Sequence, residues 1–219
     1  MATKSVPPKN TSTRAATRSS RQASRARIVA AATDLVPERS YPELSVGEIM
    51  ERAGFERTIF YRHFDDLGDL LLRAAREAIE GLFDAQIDLS ATRDGSGTHP
   101  EAIQAAIEPC VAFYERHGPL LRALDEAAAT EQPIAEGQEA MRTRFDELVA
   151  DSLAELPQLA TVPRAEVNEI ARALNLLNVS YLLDAFGREP RISAETAVRT
   201  LTEIWSAVIH VPRPAEDGS

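Results

Sequence analysis

Large apolar side chains are nearly absent from the first nineteen residues, and from residue 28 onward they recur at three- and four-residue spacing. Ile28, Val29, Ala32, Leu35 and Val36 make one helical stripe, and Pro37 ends it. Ser45 and Glu48 form a capping box that opens a short helix through Ile49 and Met50 to Ala53. Gly54 then supplies a sharp turn, and a second short helix is predicted from Arg57 to Phe64. Asp66 can cap a longer helix reaching about Leu89. A polar loop follows at 93–99, and Pro100 suits the first turn of the next helix. That helix passes Ile103, Ile107 and Phe113 and is expected to stop at His117-Gly118-Pro119. A short helix with Leu120, Leu121 and Leu124 comes next, and Pro133 starts another that runs to Leu156. The last two helices are predicted at about 164–186 and 193–209, parted by Gly187-Arg-Glu-Pro190. Strand-like alternation never persists, so the fold expected is all-α with about nine helices.

Charge divides the chain more sharply than its net of −10 suggests. Residues 1–33 carry Lys4, Lys9, Arg14, Arg18, Arg21, Arg25 and Arg27 and no acid, a net of +7. Through residue 64 there are 11 basic and 6 acidic residues, so the balance is 11 − 6 = +5. Residues 65–219 hold the remaining 24 − 11 = 13 basic and 34 − 6 = 28 acidic residues, a net of −15. Such asymmetry fits an N-terminal segment that meets a polyanion; a basic tail on an acidic protein gives the same count. Residues 1–19 are too polar to offset the entropy of ordering, so a disordered arm is expected there. Arg14, Arg18, Arg21 and Arg25 nevertheless share one helical face by spacing, as an arm that becomes helical against DNA would.

Two short helices around a glycine turn are a helix-turn-helix pattern. Residues 45–64 read Ser-Val-Gly-Glu-Ile-Met-Glu-Arg-Ala-Gly-Phe-Glu-Arg-Thr-Ile-Phe-Tyr-Arg-His-Phe. This segment resembles the DNA-binding segment of the TetR family of one-component regulators, above all in its Ala-Gly turn and Tyr-x-His-Phe. The resemblance implies three N-terminal helices for DNA and about six C-terminal helices for ligand binding and dimerisation. It divides the chain into a basic arm at 1–19, a DNA-binding domain at 20–67, a ligand-binding and dimerisation domain at 68–211 and a flexible tail at 212–219. The second short helix would enter the major groove, where Arg57 and Arg62 are candidates for bidentate guanine contacts of about 1–3 kcal/mol each. By resemblance Tyr61 and His63 would hold phosphates, with Arg21, Arg25, Ser45 and Thr58 as further contacts. Phe60 and Phe64 are expected to pack inside. The chain departs from the family pattern at Glu56, Ile59 and Asp65-Asp66-Leu67, where backbone-contacting residues are usual and acids would repel phosphate.

Farther on, Ala-Leu-Asn-Leu-Leu-Asn at 173–178, Phe-Gly-Arg-Glu-Pro at 186–190 and Leu-Thr-Glu-Ile-Trp at 201–205 resemble the C-terminal helices of a mycobacterial branch of that family. There the paired asparagines and the tryptophan border an apolar ligand channel, which implies that Asn175, Asn178 and Trp205 line a pocket here. Phe113, Tyr114, Met141, Phe145 and Leu183 join them as apolar candidates. Two readings stand for this set. The amides hold a polar ligand group or a cross-helix partner, since a buried amide must find one or the other, and the apolar residues are lining or core. Likewise Leu174, Leu177, Tyr181, Ile204 and Val208 suit a dimer face, which the family builds from its last two helices, and equally an internal core.

No run approaches a membrane-spanning length, and no apolar leader opens the chain, so neither a membrane protein nor a secreted one is expected. The single cysteine, Cys110, builds no disulfide framework. GxSxG, a Walker loop and HExxH are missing, and His63, His99, His117 and His210 are scattered, so no catalytic residues, metal or cofactor are expected. Arginine outnumbers lysine by 22 to 2, a bias found in GC-rich bacteria. The function expected is a cytoplasmic, homodimeric regulator, most simply a repressor that a small, largely apolar ligand releases from a pseudo-palindromic duplex operator. An all-α small-molecule binding protein with a non-specific basic arm is the alternative. If the arm supplies the backbone contacts that the acids forfeit, deleting residues 1–23 should weaken DNA binding strongly. It should also flatten the salt dependence, by about 0.9 in log–log slope per lost phosphate contact. Titrations at several salt concentrations check this, and an unchanged affinity and slope would overturn it.

Overall fold

The computed structural model describes residues 11–84 and 100–210, and among these it holds eight α-helices and no strand. The expected loop at 93–99, the tail at 212–219 and the first ten residues of the arm lie outside the described residues. Helix α1 spans Thr11–Leu35. Its start corrects the expected disorder at 11–19. Nothing between Pro8 and Pro37 breaks a helix, and Ala and Arg favour one. Ile28, Ala31, Ala32, Leu35 and Val36 are its buried stripe.

Helix α2, Val46–Ala53, is fixed at both ends by local chemistry. The Ser45 hydroxyl accepts from the Glu48 amide at 3.2 Å and donates to Glu48 Oε2 at 2.9 Å. At the other end Gly54 has φ 69°, a left-handed conformation that a side chain would strain. The Gly54 amide bonds Glu51 O and the Phe55 amide bonds Met50 O, the paired bonds of a Schellman ending. Helix α3 is shorter than predicted. It covers Arg57–Phe60, and turns closed by His63 and Phe64 amides on Phe60 O carry the chain onward. Asp66 then caps α4, Leu67–Asp84, its Oδ1 accepting from the Asp69 amide at 2.7 Å.

The body is built on α5, Pro100–Ala128, which packs against α4, α6 (Gln132–Ala154), α7 (Arg164–Phe186) and α8 (Ala194–His210). The predicted break at 117–119 does not occur: α5 continues through both Pro109 and Pro119. A proline inside a helix removes one hydrogen bond and costs about 3 kcal/mol. Here burial of Leu120, Leu121, Ala123 and Leu124 beyond the proline holds the helix together. One buried cluster runs from Ile28, Ile49, Phe60 and Phe64 through Leu70 and Leu71 to Leu120, Leu124 and Ile134. A second joins Ile103, Ile107 and Val111 of α5 to Val149 and Leu153 of α6, Leu182 and Phe186 of α7, and Leu201 and Trp205 of α8. Leu174, a candidate for a dimer face, belongs to this second core. Leu176 and Leu177 beside it are 40% and 36% exposed.

Gly118 lets α7 end against α5. A Cβ at this position would lie 2.3 Å from the Phe186 carbonyl oxygen, a backbone atom that cannot swing aside. Gly118→Ala is therefore expected to cost about 1–3 kcal/mol, despite the better helix propensity of alanine. Urea denaturation measures it; a neutral or stabilising effect would mean that the two helices separate easily.

Candidate DNA interface and ligand cavity

Side chains from α1 brace the helix-turn-helix. Arg27 Nη2 donates to Ala53 O at 2.7 Å, satisfying a carbonyl at the end of α2, and its guanidinium stacks 4.4 Å over the Phe55 ring. Arg21 Nη2 donates to Arg62 O at 3.0 Å. Ser24 Oγ sits 3.0 Å from His63 Nε2. Arg25 lies over the Phe64 ring at 5.7 Å and forms an ion pair with Glu77 of α4. Of the residues predicted to meet DNA, Arg57, Thr58, Tyr61 and Arg62 are exposed together around α3. Tyr61 is 55% exposed for a large aromatic, and Arg57 Nη2 reaches its hydroxyl at 3.5 Å. Phe60 and Phe64 are buried beneath them with ring centroids 5.5 Å apart.

The remaining candidates have internal partners. Ser45 caps α2, Arg25 is turned to Phe64 and Glu77, and Arg21 holds the segment after α3 from behind. Ser24 and Arg27 were missed, because their partners lie 39 and 26 residues away and no local spacing reveals them. A deletion ending at residue 23 would remove the Arg21 bond along with the arm, so one ending at residue 18 isolates the charge effect. Asp66 also has a local purpose at the start of α4. Asp66 caps the helix, and the Asp65 amide donates to Asp69 Oδ2 at 3.1 Å.

Between α4, α5, α6 and α7 lies a cavity of about 130 Å³. Phe113, Tyr114, Met141, Phe145, Asn175, Asn178 and Leu183 all line it. Trp205 does not line it but stands behind it, its Nε1 donating to Asn178 Oδ1 at 3.1 Å. The sequence reading missed Ile79, Leu82 and the carboxylates Asp125 and Asp146 as lining residues. Asn175 Nδ2 donates to Asp146 Oδ1 at 2.7 Å, across 29 residues of chain. Burial is the main cause holding the Tyr114 hydroxyl well above the ordinary tyrosine range, with Cys110 and Asp125 adding to it. It also pushes the Cys110 thiol up to about 12. Neither group is poised as a nucleophile.

Arg122 connects the cavity-bearing body to the head. From α5 its Nε donates to Gly187 O at 2.8 Å, and its Nη2 to Val36 O at 2.7 Å and Arg39 O at 2.9 Å. Its Nη1 pairs with Glu126, whose Oε2 accepts from the Tyr41 amide at 2.7 Å.

A helix-turn-helix head braced by α1 and joined to an all-helical body defines a one-component transcriptional regulator. Residues 28–77 match the family model for bacterial regulatory proteins of the tetR family, and residues 103–211 match the model for the C-terminal domain of the transcriptional regulator EthR. The chain belongs to the TetR family and carries an EthR-type C-terminal domain. It is similar to the HTH-type transcriptional regulator EthR of Mycobacterium tuberculosis, 24% identical over 84% of this chain and 85% of that one. EthR of Mycolicibacterium smegmatis is 27% identical over 86% and 87%. Its fold is similar to that of a TetR-family regulator from Streptomyces coelicolor, with TM-score 0.62, 21% identity and coverage of 90% and 92%. A transcriptional regulator from Rhodococcus gives TM-score 0.60, 22% identity and coverage of 82% and 94%. Among the described residues no helix is long and apolar enough to cross a membrane.

Burial is the first cause holding the His63 imidazole below its ordinary 6.5, reinforced by Arg21, Arg25 and Arg62. His117 is lowered as well, by burial and then by Arg116. An unfolded chain takes up protons near 6.5 that these two folded imidazoles refuse, so stability should fall as pH drops below about 6.5. Urea midpoints at pH 7.5 and 5.5 test this. A double variant, His63→Gln with His117→Gln, should show a smaller drop, and an equal drop would assign the effect elsewhere.

Proposed function

We propose that the protein is a homodimeric repressor, released from its operator by a small, largely apolar ligand. Each subunit sets α3 and its flanking turns into the major groove of one half-site. Arg57 and Arg62 read base edges there, and Tyr61, Thr58 and His63 hold the backbone. Arg21 and Arg25 act mainly from behind by positioning that segment, and the rest of the basic arm adds a salt-sensitive phosphate term. The subunits pair through α7 and α8. The exposed Leu176 and Leu177, with the half-buried Tyr181, Ile204 and Val208, support this, since α7 otherwise gives two large leucines to water. The protein works in the bacterial cytoplasm and carries out no catalysis.

The observation that carries the reading is that cavity and head share α5 and α7 through Arg122. Asn175, Asn178 and Phe113 line the cavity, and farther along the same two helices Arg122 ties Gly187 to Val36 and Arg39. A ligand that alters the seating of α7 on α5 therefore alters the seating of the head. It shifts the equilibrium only by its difference in affinity between the two arrangements, and DNA weakens the ligand by the same factor.

Selection of fragmented bacterial DNA by the purified protein at physiological salt, followed by sequencing, tests the proposal. The expected result is a sharp pseudo-palindromic site whose retention drops about tenfold with Arg57→Ala or Arg62→Ala. Retention without sequence preference, lost as salt rises, would instead favour a small-molecule binding protein with a non-specific basic arm.

A further inference from the structure

The polar groups of the cavity are mismatched in a way that points to the chemistry of its occupant. Asn175 is 2% exposed and lines the cavity, and its amide nitrogen is committed to Asp146. Carboxylate oxygens accept hydrogen bonds, so this contact fixes which way the amide faces and leaves Asn175 Oδ1 as the second acceptor. That oxygen is buried without a partner. Asn178 differs: its Oδ1 is taken by Trp205.

Asp146 lines the same cavity, and so does Asp125, whose Oδ1 accepts from Gln138 Nε2 at 3.3 Å. Arg142 is the one basic side chain among the lining residues, and it is paired with Glu139 on its own helix. Asp125 is exposed to solvent, but the half-buried Asp146 carboxylate and the orphaned Asn175 carbonyl, beside an otherwise largely apolar wall, lack a donor with positive charge. A carboxylate ligand would meet repulsion. A hydroxyl could satisfy Asn175 Oδ1 but would leave the half-buried Asp146 carboxylate without a cationic partner.

We propose that the effector is a lipophilic amine, whose ammonium group donates to Asn175 Oδ1 and the Asp146 carboxylate while its apolar body lies against Phe113, Met141 and Phe145. This rests on reading the cavity as the ligand site, and the test separates the two. The full-length protein is titrated at neutral pH with n-octylamine, 1-octanol and octanoate. Binding is read by calorimetry and by the fluorescence of Trp205, the chain's single tryptophan. Octylamine is expected to bind at least about tenfold more tightly than octanol, with octanoate weakest. Asp146→Asn still offers Asn175 an acceptor, and it should lower the amine-to-alcohol affinity ratio about tenfold. Octanol or octanoate matching octylamine would overturn the amine assignment. A ratio unmoved by Asp146→Asn would also overturn it, by placing the amine on the acidic surface. Binding by none of the three would overturn the ligand-site reading and the inference with it.

Discussion

The Arg122 guanidinium ties head to body where two helix ends meet, beside the buried cluster that runs from Ile28 and Phe60 to Leu120 and Ile134. Helices end with carbonyls that have no partner inside the helix, and two such ends meet here: α1 closes at Val36 and α7 at Gly187. Arg122 reaches both from α5, and it also takes Arg39 O on the way into the turn at Tyr41–Glu43. A planar fork of five donors can do this and an ammonium cannot, because the acceptors lie in three directions at fixed spacing. The side chain is 12% exposed, so losing it would leave carbonyls unpaired in a poorly solvated place, at about 1–3 kcal/mol each. Glu126 completes the joint by neutralising the guanidinium and accepting from the Tyr41 amide. The head is thus held through its backbone at this joint as well as through the buried cluster it shares with α4 and α5.

What the sequence revealed and what it hid divides by distance along the chain. The ends of α2 were legible because Ser45, Glu48 and Gly54 act on amides within a few residues. The bounds of α7 were legible from Pro163 and Gly187 for the same reason. The continuity of α5 was not. Gly118-Pro119 is a local stop signal, and it is outweighed by leucines whose burial depends on α4, α6 and α7. The length of α1 was hidden in the opposite way, since poor hydrophobicity suggested disorder where spacing and propensity allow a helix. Charge counting grouped Arg21, Arg25 and Arg27 as one arm for a polyanion. The structure gives each a separate protein partner, at Arg62 O, at Glu77 with Phe64, and at Ala53 O with Phe55.

The cavity shows the same division. Its apolar lining was legible from helical spacing and resemblance, whereas the acids Asp125 and Asp146 were not, because on their own helices they look like solvated surface. Only the fold brings Asp146 to Asn175 and sets Asp125, still exposed, along the same cavity. The two asparagines, alike in sequence, then do different work. Asn178 binds Trp205 and so joins α7 to α8, while Asn175 binds Asp146 and joins α7 to α6. A group that engages the free oxygen of Asn175 therefore acts on the seam of α6 with α7 and leaves the Asn178–Trp205 bond in place.

These acids also connect the cavity to the charge division of the whole chain. Residues 65–219, which net −15, repel phosphate, in keeping with the DNA contacts proposed for the head and the basic arm. The same field raises the local concentration of cations around the body and lowers that of anions. The cavity and the exposed face around α3 share no residue, so direct competition would not couple the two proposed sites. Both α4 and α5 line the cavity and both meet the head, α4 through the Arg25–Glu77 pair and α5 through the Arg122 fork, so these are the contacts through which the two proposed sites would couple.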